Sequence, residues 1–258
     1  VIKNENIDLK GIKYSEVNNT NFILDYFNHS RTLTLKSRSP NLDFKDIPRE
    51  FLSNPPDVIV LVPLCNEITY VYVSQIKEHF PNAYIGIDLQ GFIRNINEQG
   101  IVSYVPSDGI VSNMKAIIEL IGDKLILKGS EEEMKLLAGE SDDLYKVMAH
   151  FKKYDTNGLF IMTLGEKGSM IYKKGEDLLE IPAFESKGVV DETGAGDVYL
   201  AIFLFEYIRS DMSWSAIEKA AYLASAAASF LVEKKGPSGY KSKKAVLRRI
   251  LSQKYIKK

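Results

Sequence analysis

The sequence predicts an α/β protein in which a mostly parallel central sheet carries helices on both faces, with a small β-hairpin ahead of it. Three observations lead there. From about Asp57 onward, short β-branched or Leu-rich runs alternate with helical stretches, the order that builds parallel sheets. Before that point, residues 14–39 read as a β-hairpin. Beyond the alternation, a glycine-rich turn leads from a short β-branched stretch into an apolar helix.

In the leading segment, 22–27 and 32–36 are strand-like, the second with apolar and polar residues in alternation, and Asn28-His29-Ser30 supplies the turn. A two-stranded hairpin is marginal by itself, so this segment is expected to join a small sheet packed on the body or on another subunit. The chain therefore divides into a hairpin segment over 14–39 and an α/β domain over 40–258. Within the domain, 58–62, 84–87, 125–127 and 159–162 have the composition of strands buried on both faces. Helices are expected between them over 71–80, 112–121 and 144–154. Two further strands, 169–173 and 178–182, precede helical stretches at 194–209, 214–233 and 241–254.

With 258 residues, 45% apolar and 26% charged, the chain is an ordinary globular protein with enough length for a large core. A formal net charge of −1 offers no general attraction to nucleic acid or anionic membrane, so neither is expected as a partner. Cys65 is the only cysteine, which excludes an internal disulfide and fits a reducing cytoplasmic setting. The apolar runs 58–64 and 220–232 are too short to span a bilayer, and the opening residues lack the charge and apolar stretch of a signal peptide.

The most informative stretch is Val189-Val190-Asp191-Glu192-Thr193-Gly194-Ala195-Gly196-Asp197, followed by the apolar helix. Two glycines let consecutive amides converge, and the free amides of a helix start add partial positive charge at the same place. Such a turn is an anion hole suited to a phosphoryl group. An Asp inside it makes sense if it faces the nucleophile that approaches the phosphorus: the amides stabilise the transferring oxygens while Asp197 accepts the proton. The helix start is expected to keep Asp197 ionised. The plain alternative makes Thr193 an N-cap and Asp197 an ordinary first-turn acid.

Three other stretches carry candidates. Thr163-Leu164-Gly165-Glu166-Lys167-Gly168 joins two strands through a turn with two glycines. Lys128-Gly129-Ser130 leaves a strand for a helix in which Ser130 and Glu133 have the spacing of a capping box. Asp88-Leu89-Gln90-Gly91-Phe92-Ile93-Arg94 ends a strand, where open α/β sheets place ligands.

The stretch Asp191 to Asp197 resembles the Asp-Thr-Thr-Gly-Ala-Gly-Asp signature of the ribokinase-like (PfkB) carbohydrate kinases, with Glu192 at a variable position. The resemblance implies that Gly194, Ala195 and Gly196 form the anion hole and that Asp197 is the catalytic base. The turn with Thr163, Gly165 and Gly168 is similar to the family's Thr-x-Gly-x-x-Gly loop, which implies an ATP site there. Where the family has Asn-x-x-Glu after a Lys, this chain has Ser130 and Glu133 after Lys128, which implies Ser130 beside the nucleotide and Glu133 in the shell of a Mg2+ ion. A capping box alone also explains both residues. Arg94 matches an Arg found in a subset of the sugar kinases and would grip a phosphate or polyol, unless it is a solvated Arg at a turn. The Ala-rich stretch 220–229 matches the region that flanks adenine, and is first of all a close-packing helix.

The family resemblance thus implies ATP and Mg2+ as cofactors and a small sugar-like acceptor, whether sugar, polyol or nucleoside. The alternatives are a vitamin-type, pyridoxal-like kinase and a nucleotide-binding regulator without turnover. The hairpin over 14–39 resembles the small β lid that the sugar kinases carry, which favours them, and its exposed edge is expected to pair with a second subunit in a homodimer formed through the lid. The resemblance runs from about Tyr14 to the end. The family's front strand, with Gly-Asn, an Asp and a following Gly-Gly turn that hold the acceptor, has no counterpart before Tyr14. Either the numbering omits it or the chain is a natural fragment.

Overall fold

The structure, a computed structural model, describes residues 7–27, 30–103, 105, 107–139 and 141–256. The opening residues 1–6 and the turn residues Asn28 and His29 lie outside the described set. The chain opens with strands β1 (Asn21–Phe27) and β2 (Ser30–Ser37), followed by the short helix α1 (Arg49–Ser53). Then come β3 (Val58–Leu61), α2 (Tyr70–His79), β4 (Tyr84–Asp88), and the two-residue strands β5 (Asn95–Ile96) and β6 (Val102–Ser103). Next are α3 (Asp108–Ile121), β7 (Leu125–Ser130), α4 (Glu131–Ala138), α5 (Leu144–His150), β8 (Leu159–Thr163), β9 (Ser169–Lys173) and β10 (Leu179–Ile181). The chain closes with α6 (Ala195–Ile208), α7 (Trp214–Leu231) and α8 (Lys243–Ser252).

Six strands form the central sheet in the order β10-β9-β8-β7-β4-β3. The β3, β4, β7 and β8 pairings are parallel, whereas β9 runs antiparallel to both β8 and β10. The antiparallel end follows from connection length. Only five residues separate β8 from β9, too few for the helical crossover a parallel pair requires, so the chain turns back on itself.

Period-two alternation sends successive side chains to opposite faces, and each face finds its own helices. Ile85, Ile87, Leu127, Phe160 and Met162 pack with α2, α3, α4 and α5 through Ile76, Ile117, Leu137 and Met148. Ile126, Ile161 and Ile171 pack on the other face against Leu200, Phe203, Leu204 and Ala224 of α6 and α7. Helices on both faces are what the alternation predicts. Among the described residues no helix is long and apolar enough to cross a membrane.

Boundaries differ where a cap decides them. α3 starts four residues before the expected 112, because Ser107 accepts a hydrogen bond from the Ile110 amide and fixes the helix start. The expected helix over 144–154 ends at His150 and finishes in a 3₁₀ turn, Phe151–Lys153. α1, β5 and β6 are too short to leave a periodic signal.

β1 and β2 pair as an antiparallel hairpin, joined to the β5–β6 hairpin by Leu35 N–H donating to Gly100 O at 2.7 Å. Its root is fastened to the loop after β3. The buried Glu67 carboxylate accepts from Thr20 Oγ1 at 2.8 Å and from the Leu64 and Cys65 amides at 2.9 and 2.6 Å. Arg38 donates from Nε to Cys65 O and from Nη2 to Asn66 O, both at 2.7 Å. Glu67→Ala leaves three donors without their acceptor and is expected to destabilise the fold by about 3 kcal/mol, the scale of two or so unsatisfied buried groups. Urea unfolding measures that loss, and amide exchange should quicken selectively over residues 20–38.

Candidate active site

The candidate residues of the sheet gather at the carboxyl ends of its parallel strands, where an α/β sheet opens to ligands. Asp88 is the last residue of β4 and pairs in register with Lys128 of β7; Ser130, the last of β7, pairs with Thr163, the last of β8. Lys128 Nζ donates to Asp88 Oδ2 at 2.8 Å, and both residues are buried. Thr163 Oγ1 donates to Gly129 O at 3.3 Å.

The start of α6 comes down onto these strand ends. A Cβ on Gly196 would lie 2.5 Å from Lys128 Nζ and 4.0 Å from Asp88 Oδ2. The N-cap is Gly194 in the left-handed region, at φ +86°, a conformation that a glycine adopts without strain. Thr193 is not the N-cap the plain reading expected, whereas Asp197 does lie in the first turn of the helix. The first helical bond runs from Val198 N–H to Gly194 O, so the Gly196 and Asp197 amides fall among the free donors of the helix start. The Ala195 amide instead donates to Glu192 O at 3.1 Å and closes the turn.

Asp191, which the sequence motif contains without a role, braces the loop. Its carboxylate accepts from the Thr193 amide at 2.9 Å and the Gly236 amide at 3.1 Å, bonds that hold it below the usual carboxylate range. The Val190 and Asp191 amides both donate to Val232 O just past α7, at 2.7 and 3.3 Å. The glycine turn is thereby bolted to the far end of the helix that packs beside α6.

Asp197 is exposed as a residue, so its carboxyl is reachable from solvent. The protein crowded behind it withdraws enough water to raise its pKa; Asp88 adds to the rise and Lys128 opposes it. The helix start alone would favour the ionised form, and here desolvation outweighs it. Glu133 is buried, and desolvation likewise raises its pKa. It completes the capping box: the Glu133 amide donates to Ser130 Oγ at 3.3 Å, and the Ser130 amide donates to Glu133 Oε2 at 2.8 Å. Among the described residues no three His, Cys, Asp or Glu side chains gather to hold a metal by themselves.

The turn after β8 is a single 3₁₀ turn with Gly165 and Gly168 both at positive φ, +57° and +92°. A Cβ at Gly168 would strike Ile181 O, whereas nothing lies within 4 Å of the same position at Gly165. Gly168 is thus required by the fold, while Gly165 faces open space beside Thr163. Arg94 is anchored on the loop after β3 and on the hairpin. It is 5% exposed, donates from Nη1 to Leu64 O at 2.5 Å, and sets its guanidinium 4.9 Å from the Phe22 ring of β1; among the described residues its Nε has no hydrogen-bond partner. It is not a solvated Arg at a turn, since it is buried where the hairpin meets the body.

The sequence matches the family described as pfkB family carbohydrate kinase over residues 2–244. It is 34% identical over 141 residues to a nucleoside kinase of Methanocaldococcus jannaschii, a match that covers 53% of this chain and 42% of that protein. It is 32% identical over 98 residues to a deoxyribokinase of Salmonella typhi, covering 37% and 31%. The matches therefore span less than half the length of these relatives. Among solved structures, Arabidopsis thaliana ribokinase complexed with ribose and ATP superposes with a TM-score of 0.63 at 21% identity, covering 86% of this chain and 66% of that one. Vibrio cholerae fructokinase with fructose, ADP and calcium bound gives 0.70 at 17%, covering 92% and 75%. At these identities the two superpositions describe the fold.

The open space at Gly165 yields a test of the nucleotide loop. Asn tolerates positive φ, so Gly165→Asn should fold normally while filling that space. If a nucleotide lies there, its affinity should fall about tenfold or more, or ~1.4 kcal/mol, by isothermal titration with ATP; unchanged affinity would take this loop out of the site.

Proposed function

This chain belongs to the pfkB family of carbohydrate kinases, and on that footing we propose that it transfers the γ-phosphoryl group of ATP to a hydroxyl of a sugar, polyol or nucleoside. One observation carries the reading. Asp197 stands exposed in the first turn of α6, beside amides that precede the first helical bond. Proton acceptor and anion-binding donors would thus come from one helix start.

In this reading the acceptor hydroxyl approaches Asp197, whose carboxylate takes its proton as the oxygen attacks phosphorus. A carboxyl raised by desolvation is a better acceptor than an ordinary one, provided it is ionised at working pH. The Gly196 and Asp197 amides stabilise charge on the transferring oxygens, and need no reorientation because Gly194 and Asp191 already fix the turn. Thr163, Ser130 and the Gly165–Gly168 turn would line the nucleotide.

Magnesium generally takes few protein ligands and is held largely by water and phosphate oxygens, so a single carboxylate of the chain would suffice for an ion that arrives with the nucleotide. Glu133 would hold it, and the ion would supply positive charge to the phosphate oxygens. The relatives are named nucleoside kinase, deoxyribokinase and ribokinase, which supports an acceptor carrying sugar hydroxyls over a vitamin-type one.

Replacing Asp197 by Asn keeps the shape and removes the proton acceptor. Turnover should fall by ~10²–10⁴-fold with ATP affinity retained. In the unaltered protein, kcat/KM should drop as pH falls and Asp197 takes up its proton. That acid limb should lie above the ordinary Asp value of about 3.9, because the shift is upward. Steady-state ADP release measures both, and near-normal turnover in Asp197→Asn would contradict the reading.

A further inference from the structure

The Asp88–Lys128 pair is left over from the chemistry described above. Nor is it needed to join β4 to β7, whose backbones already pair through four registered positions. Lys128 and Asp88 are only 6% and 5% exposed. Removing two opposite charges from water is unfavourable, and apolar residues in their place are often neutral or stabilising. Stability alone therefore gives little reason for the pair, whereas its position gives a specific one.

Both charges lie against the first turn of α6. The Cβ position of Gly196, next in sequence to Asp197, is 2.5 Å from Lys128 Nζ and 4.0 Å from Asp88 Oδ2. Any side chain at 196 would push the ammonium away. An ammonium carries three N–H donors, and the bond to Asp88 uses one of them. The charged groups that bear on Asp197 are Asp88 from β4, which raises its pKa, and Lys128 from β7, which lowers it. Glu133 at the head of α4 feels the same two neighbours in the same senses. Asp191, on the loop before α6, is committed to the Thr193 and Gly236 amides.

We propose that Asp88 and Lys128 are positioning residues for phosphoryl transfer: a buried ion pair, set by the register of β4 and β7, that holds an ammonium against the turn next to Asp197. The inference rests on the reading of Asp197 as the base. Lys128 draws Asp197 toward its ionised form, and Asp88 both holds Lys128 in place and restrains that pull. Neutralising one member or the other should therefore move Asp197 in opposite directions, an outcome that simple weakening of the fold would not produce.

The test is a carboxyl-carbon NMR titration of the free protein labelled with ¹³C-aspartate, the Asp197 resonance being the one missing from Asp197→Asn. The Asp197 midpoint should move down in Asp88→Asn and up in Lys128→Met. The double variant Asp88→Asn/Lys128→Met carries a neutral pair of similar volume and should keep a melting temperature near that of the parent. Its ADP release from Mg-ATP with a mixture of ribose, fructose and nucleosides should still fall about tenfold or more, as expected when a preorganised charge is lost. Midpoints that stay put or move together, or a double variant with parental turnover, would overturn the proposal. Should Lys128→Met strand Asp88 and unfold the chain, Asp88→Asn and the double variant still decide. The titration uses no substrate, so its failure concerns this inference alone, whereas near-normal turnover in Asp197→Asn concerns the underlying reading.

Discussion

Two opposite charges meet at 2.8 Å where β4 and β7 end, and the arrangement of the candidate site depends on that meeting. The register of the parallel strands sets Asp88 beside Lys128, and a short side chain is then required wherever the next layer crosses them. Gly196 meets that requirement, so α6 can begin directly over the strand ends. Its free amides and Asp197 thereby stand in one helix turn beside the buried pair. Asp191 completes the constraint from the other side by tying the turn to Gly236 and so to the region beyond α7. Sheet, helix start and C-terminal helices form one connected set of contacts around a few ångströms of space.

The hairpin at the front is connected to the same strand ends by a second, separate route. Glu67 and Arg38 fasten its root to the loop after β3, and Arg94, from the stretch after β4, carries Phe22 on its guanidinium. Asn66 links the two loops, with its amide donating to Gly91 O at 2.8 Å and its side chain to Arg94 O at 2.9 Å. A displacement of the hairpin would therefore be felt at the turn that immediately follows Asp88. This gives Arg94 a structural reason to be Arg that its neighbours in sequence do not reveal.

Local requirements were legible in the sequence, and contacts between distant residues were not. The turn at Gly194–Asp197 declares itself because a positive φ and a helix start each call for particular residues in a short span. The strands of the sheet are visible because burial on both faces demands continuous apolar runs, as in β7 and β8. The Ser130–Glu133 box was legible for the same local reason, and the structure forms it. By contrast, Asp88 and Lys128 are 40 residues apart, and only the register of two parallel strands makes them partners. Glu67 as the anchor of the hairpin is hidden in the same way, since Thr20 is 47 residues from it. The upward shift at Asp197 depends on how much protein stands behind the carboxyl, a quantity a helix-start argument omits.

The sequence similarity covers less than half the length of the archaeal nucleoside kinase and of the deoxyribokinase. The proposed activity moves phosphorus from a nucleotide to a hydroxyl. Phosphorus NMR of the protein with Mg-ATP and a mixture of sugars, polyols and nucleosides follows the γ-phosphorus directly. The account predicts that the γ signal declines as ADP and a phosphomonoester resonance grow together, and that the new resonance requires the acceptor mixture. A γ-phosphorus that stays on ATP, or that appears as inorganic phosphate alone, would contradict it.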